Sequence, residues 1–142
     1  MGLRNTIKGK RVYFDANIFI SLMEGFPALA RSLSDIRDSI FHGQARIFTS
    51  ELTLCEVLVP AFRADNTQLL MQYRRFLEES GAFELIPTTR DIYIRASLLR
   101  AQLGLKTPDA IHVSSAVTSE CQVFLTHDTK LKTPKGMIVT HL

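Results

Sequence analysis

Hydrophobic residues fall along this chain in two alternating patterns. Short apolar runs at Val12–Phe14, Arg46–Thr49, Phe83–Ile86 and Val123–Thr126 predict buried strands, and Met137–Thr140 offers a fifth. Between them, apolar positions recur every third or fourth residue. Leu29, Leu33, Ile36 and Ile40 form one stripe, and Leu69, Leu70, Tyr73, Phe76 and Leu77 another. Ile92, Ala96, Leu99 and Leu103 form a third, ended by Gly104 in the position of a helix stop. Ser50 is placed to cap a helix through "ELTLCEVLVPAF", and Thr107–Pro108 reads as the cap and first helical residue of "DAIHVSSAV". Strands alternating with helices predict an α/β fold whose mostly parallel sheet is covered on both faces. In such sheets ligands bind beyond the carboxyl ends of the strands, so that is where polar residues carry most information.

Composition narrows the class without naming a function. With 142 residues, 46% of them hydrophobic, the chain is expected to form one domain, 1–142, with a real core. The formal net charge of +3 is compatible with an anionic partner but does not demand one. Cys55 and Cys121 both sit in apolar stretches and read as two buried, reduced thiols rather than a disulfide framework. No apolar leader follows "MGLRNTIKGKR" and no run reaches membrane-spanning length, so a soluble, cytoplasmic protein without a membrane partner is expected.

Four acids stand where the strands end. Asp15 follows the first strand, where a helix cap explains it equally well. Asp109 lies in the first turn of its helix and Asp128 in the turn "HDTK", and dipole stabilisation or an Asx turn suffices for each singly. Glu56 lies on a helix that is apolar nearly all round, which predicts burial; it then needs a cation, with an Arg salt bridge as the plain structural account. Glu51, in the first turn, is explained by the helix dipole and is the weaker candidate. Jointly the four are harder to dismiss, because carboxylates gathered at one sheet edge repel unless a cation neutralises them. Acids without a Cys/His quartet suit hard Mg²⁺ or Mn²⁺ and chemistry on a phosphate.

The order "YFDANIFI", "TSELTLCEVL", "LKTPDAIHVSSA" and "FLTHDTKL" resembles the PIN-domain nucleases, most closely the VapC-type toxins of type II toxin–antitoxin pairs, over nearly the whole chain. The resemblance implies a PIN-like three-layer α/β/α sandwich with a four- or five-stranded, mostly parallel sheet. It also implies a Mg²⁺- or Mn²⁺-dependent endoribonuclease whose partners are RNA, a cognate antitoxin and a second copy of the chain. Carried over by position, the acidic quartet falls on Asp15, Glu56, Asp109 and Asp128, with Asp15 and Asp109 as central metal ligands. The supporting polar positions fall on Asn17 and Thr126. Lys106, Lys130 and Lys132 flank these segments, either holding an RNA backbone or simply solvated.

Other readings stay open at this level. A phosphatase of the haloacid-dehalogenase kind also begins with an acid after a strand, but it needs a second acid where this chain has Asn17. A housekeeping RNA-processing nuclease, a DNA nuclease and a noncatalytic RNA- or protein-binding module share the pattern. His112 shares a helix face with Asp109 but is read as a packed core residue, and His127 is expected to point away from Asp128. The Leu29–Ile40 stripe is read either as a docking or dimerisation surface or as a face turned to its own core.

Overall fold

The computed structural model describes residues 2–142. The chain forms a short helix α1 (Leu3–Ile7), strand β1 (Arg11–Phe14), helices α2 (Ala16–Glu24) and α3 (Ala30–Phe41), and strand β2 (Arg46–Ser50). Helices α4 (Glu51–Arg63) and α5 (Thr67–Arg74) lead through a π turn at Arg75–Glu79 to β3 (Phe83–Ile86). Helices α6 (Arg90–Leu103) and α7 (Thr107–Thr118) then precede β4 (Val123–Leu125) and β5 (Ile138–Thr140). All four predicted strands and the fifth are present, with ends shifted by a residue: Ser50 joins β2, while Thr126 and Met137 fall outside β4 and β5.

The five strands form one sheet in the order β3-β2-β1-β4-β5, and every neighbouring pair is parallel. Side chains alternate across the sheet, so the central strands β1, β2 and β4 feed two cores. Val12 and Phe14 enter a cluster with Ile18, Phe19, Leu33, Ile36, Val57 and Tyr73, built from the helices between β1 and β3. Tyr13, Phe48 and Phe124 face the other way and pack with Ile92, Ala96, Ile111 and Val113 of α6 and α7. The result is the three-layer α/β/α arrangement. From β1 the chain moves outward to β2 and β3, then crosses back to place β4 on the other side of β1. That reversal opens a crevice at the carboxyl ends of β1 and β4.

Several local expectations change. The Leu29–Ile40 stripe turns inward: Leu33 and Ile36 are buried, and Leu29 and Ile40 pack against the same cluster, with α1 lying against α3. It is therefore a core face and not a docking surface. Helix α4 is not buried all round; Thr53, Val57 and Ala61 line its inner face, whereas Val59 and Phe62 are exposed. Cys55 accordingly points to solvent, and only Cys121 is buried. Helix α7 starts one residue early, with Lys106 at the cap position and Thr107 already helical. Ser50 does hold the cap position of α4, but its side chain makes no capping bond. The segment preceding β1 gains a role: α1 delivers Ile7, fully buried, to the larger core.

Candidate active site

The carboxyl ends of β1 and β4 are tied together by side chains. Asp15 caps α2, with Oδ1 accepting the Ala16 N–H at 2.8 Å. Its other oxygen, Oδ2, accepts the Thr126 hydroxyl at 2.7 Å. That hydroxyl in turn accepts the Asp128 N–H at 3.1 Å, and Asp128 Oδ1 accepts the Lys130 N–H at 2.9 Å. Asn17 Oδ1 accepts the His127 N–H at 3.3 Å, a second tie between α2 and the turn after β4. Asp15 is thus 9% exposed and held on both oxygens. The cap and Asx-turn accounts of Asp15 and Asp128 are correct descriptions of their bonds. They do not exhaust what the residues do, because each carboxylate retains free lone pairs.

Asp109 enters from the first turn of α7. Its carboxyl is pushed above the ordinary range, first by burial and then by the negative charges of Asp15 and Asp128; Glu56 adds to the rise and His112 opposes it. All four predicted acids therefore act on one another in a single field, although four separate segments supply them. Glu56 is half exposed rather than buried, and its partner is not an arginine. His112 Nε2 lies 2.5 Å from Glu56 Oε1 and 3.7 Å from Asp15 Oδ1. His112 itself is 1% exposed and its Nδ1 lies 2.6 Å from the Tyr13 hydroxyl. This histidine is a core residue, as its apolar neighbours in sequence imply, but its ring also reaches the acids, which those neighbours do not imply. The one signal in the sequence is its position one helical turn after Asp109.

His127 bonds to Ser21 Oγ through Nε2 at 2.8 Å, and burial lowers its pKa. With Asn17, Ile20, Phe26 and Leu29 these two line a cavity of about 280 Å³. Lys106, Lys130 and Lys132 are all exposed, and no lysine pairs with the four acids among the described residues.

The donor set suits a hard divalent cation. It offers carboxylates without a competing thiol, and their mutual repulsion is the kind a cation relieves. Among the described residues no three His, Cys, Asp or Glu side chains form a closed coordination group. A preformed cage is not required for Mg²⁺, which keeps several waters and binds through one or two carboxylates together with substrate phosphate oxygens.

No helix of the described residues is long and apolar enough to cross a membrane. Comparison with solved structures finds the same fold in a chain of a toxin–antitoxin complex from Klebsiella pneumoniae, with TM-score 0.66, 27% identity, and 91% of this chain and 96% of that one covered. A chain of VapBC2 from Rickettsia felis, bound to a DNA fragment from its promoter, matches with TM-score 0.69 and 15% identity over 92% and 98%. A chain of DNA-bound VapBC from Salmonella typhimurium matches with TM-score 0.64 and 16% identity over 93% and 98%. At such identities the last two establish the fold alone. A sequence comparison with curated proteins finds no match. The PIN-domain family profile aligns with residues 12–136, from β1 to just before β5, and the chain belongs to the PIN-domain family.

Proposed function

We propose that residues 1–142 act as one metal-dependent endoribonuclease domain, the toxin of a toxin–antitoxin pair, with Mg²⁺ or Mn²⁺ as cofactor and an antitoxin protein as partner. One observation carries the nuclease reading: acids from four segments share one field at the sheet's switch point, where burial first and then the charges of Asp15, Asp128 and Glu56 raise the Asp109 carboxyl. The toxin role is supported by the family and by the toxin–antitoxin complexes among its structural neighbours.

In this reading Asp15 and Asp109 hold the cation, and Glu56 and Asp128 complete the set or orient water. A bound divalent ion supplies an acidified water and positive charge toward the phosphoryl oxygens. Thr126 fixes Asp15 through Oδ2, and the Ala16 N–H fixes Oδ1, so the carboxylate is oriented before substrate arrives. Asn17 holds the turn that carries Asp128 by accepting the His127 N–H. Because Asn17 replaces the second acid, aspartyl-phosphate chemistry at Asp15 lacks its proton donor. Lys106, Lys130 and Lys132 border the acids and are free to meet an RNA backbone.

The test is expression of wild type and Asp15→Asn in a bacterial host, with RNA cleavage assayed in Mn²⁺. Asparagine keeps the oxygen that caps α2 but removes the charge, so folding is preserved. Growth arrest and cleavage by wild type, both lost in the variant, are the expected result. Equal behaviour of the two proteins, active or inert, overturns the reading.

A further inference from the structure

Behind the acids, buried hydrogen bonds run from β2 to Glu56 through residues the nuclease chemistry does not itself use. The Ser50 N–H lies 3.1 Å from the Tyr13 hydroxyl oxygen, the Tyr13 hydroxyl 2.6 Å from His112 Nδ1, and His112 Nε2 2.5 Å from Glu56 Oε1. Tyr13 is fully buried, and His112 very nearly so.

Each end of this chain of bonds has only one polarity. A backbone N–H can only donate, so the Tyr13 oxygen accepts from Ser50. The Tyr13 O–H must then find an acceptor, and burial holds this phenol in its protonated form by raising its pKa. Its short side-chain hydrogen bond is to His112 Nδ1, at 2.6 Å, and the Thr49 and Ser50 side chains also interact with the phenol. Were Nδ1 to carry a proton, this short bond would set two donors against each other, and the hydroxyl hydrogen would have to turn away to Thr49 or Ser50. At the far end an ionised carboxylate can only accept, so Nε2 carries the ring proton. Both ends thus favour the same tautomer.

We propose that Tyr13 and His112 are positioning residues: the backbone of β2 sets the His112 tautomer through Tyr13, and the Nε2–H then holds the half-exposed Glu56 carboxylate in place beside Asp15 and Asp109. Its functional consequence rests on the nuclease reading. The device resembles the outer-shell partners that orient metal-binding carboxylates and histidines, whose loss weakens metal binding or activity about 10- to 100-fold. It also explains why a helix face as exposed as that of Glu56 can deliver a carboxylate in a defined direction.

The first measurement is the tautomer itself, read from nitrogen-15 shifts of the His112 ring in the metal-free wild-type protein. The expected result is a bare Nδ1 and a protonated Nε2; a protonated Nδ1 overturns the proposal. This readout needs neither metal nor RNA, so its failure is separate from failure of the nuclease reading, which absence of Mn²⁺ binding and of cleavage by wild type would signal. The second measurement is Mn²⁺ affinity, by electron paramagnetic resonance, and cleavage rate for Tyr13→Phe and His112→Gln. Tyr13→Phe is expected to fold, to lose the single tautomer, and to bind Mn²⁺ about 10-fold more weakly, with rate recovered at saturating Mn²⁺. His112→Gln keeps an N–H donor at similar reach and is expected to retain more affinity than His112→Ala. Unchanged tautomer and Mn²⁺ affinity in a folded Tyr13→Phe protein would overturn the positioning role, as would equal losses in the glutamine and alanine variants.

Discussion

The same strands end in opposite electrostatic conditions. At the amino edge of the sheet, charges find partners of the opposite sign or neutral acceptors. Arg11 donates Nε and Nη2 to the Ser119 carbonyl at 2.9 and 2.7 Å, and Arg46 pairs with Glu84 at 2.5 Å. Both guanidinium groups also lie over the Phe48 ring, at 4.4 and 5.3 Å from its centre. At the carboxyl edge four acids converge, and the imidazole that reaches two of them, His112, serves as a hydrogen-bond donor to Glu56. Asp109 carries the cost as a raised pKa. A strand end whose charges are matched contributes modestly to stability. One whose charges are all of one sign is less stable by itself and becomes useful when a cation arrives.

The largest expected effect removes one charge from the unmatched edge. Asp109→Asn should lower RNA cleavage in Mn²⁺ by at least about 100-fold, a loss at or beyond the upper end for residues that only orient metal ligands. A change below about 10-fold, the lower end of that range, would place Asp109 outside the chemistry. Next comes the cation. At about a hundred times its dissociation constant a ligand contributes about 2.7 kcal/mol, so saturating Mn²⁺ should raise the wild-type Tm by about 5–10 °C over chelator. Thermal denaturation of Asp109→Asn should show most of that rise gone.

A smaller effect has the opposite sign to the first. In chelator, Asp109→Asn should be more stable than wild type at neutral pH, because it relieves repulsion. Asp109 is only partly buried, so screening limits the gain to at most about 1 kcal/mol, or about 4 °C. The folded protein holds the Asp109 proton more tightly than the unfolded chain. Stability therefore falls as pH rises from the ordinary carboxylate range through the raised value, and the full penalty is present above it. The Tm gap between variant and wild type should thus close on acidification toward about pH 4. A gap that widens there would contradict the raised pKa.

The smallest effect belongs to the matched edge. Arg46→Ala removes an exposed ion pair and should cost about 1 kcal/mol or less, leaving cleavage unchanged. A loss of activity comparable with that of Asp109→Asn would dissolve the contrast between the two edges.

Much of this molecule is legible in its residues alone. Short apolar runs specify the strands and three-to-four spacing the helices, since each reflects which side chains one element can bury together. The same spacing places Asp15, Asp109 and Asp128 at strand ends or in the first turn after a loop, and the α/β rule indicates which edge holds the ligand. Tertiary structure decides what those patterns face. The stripe from Leu29 to Ile40 is equally suited to a partner or to the chain's own core, and only the position of β1 and α1 against it resolves the choice. Helix α4 carries enough apolar residues to be buried all round, but it lies at an outer layer, so Cys55 turns outward and Glu56 is half exposed. The partner of Glu56 lies 56 positions away, and the hydroxyl that orients that partner lies 99 positions from it. Spacing along a chain encodes the faces of single elements; which faces meet depends on strand order, and strand order brings Tyr13, Glu56 and His112 together.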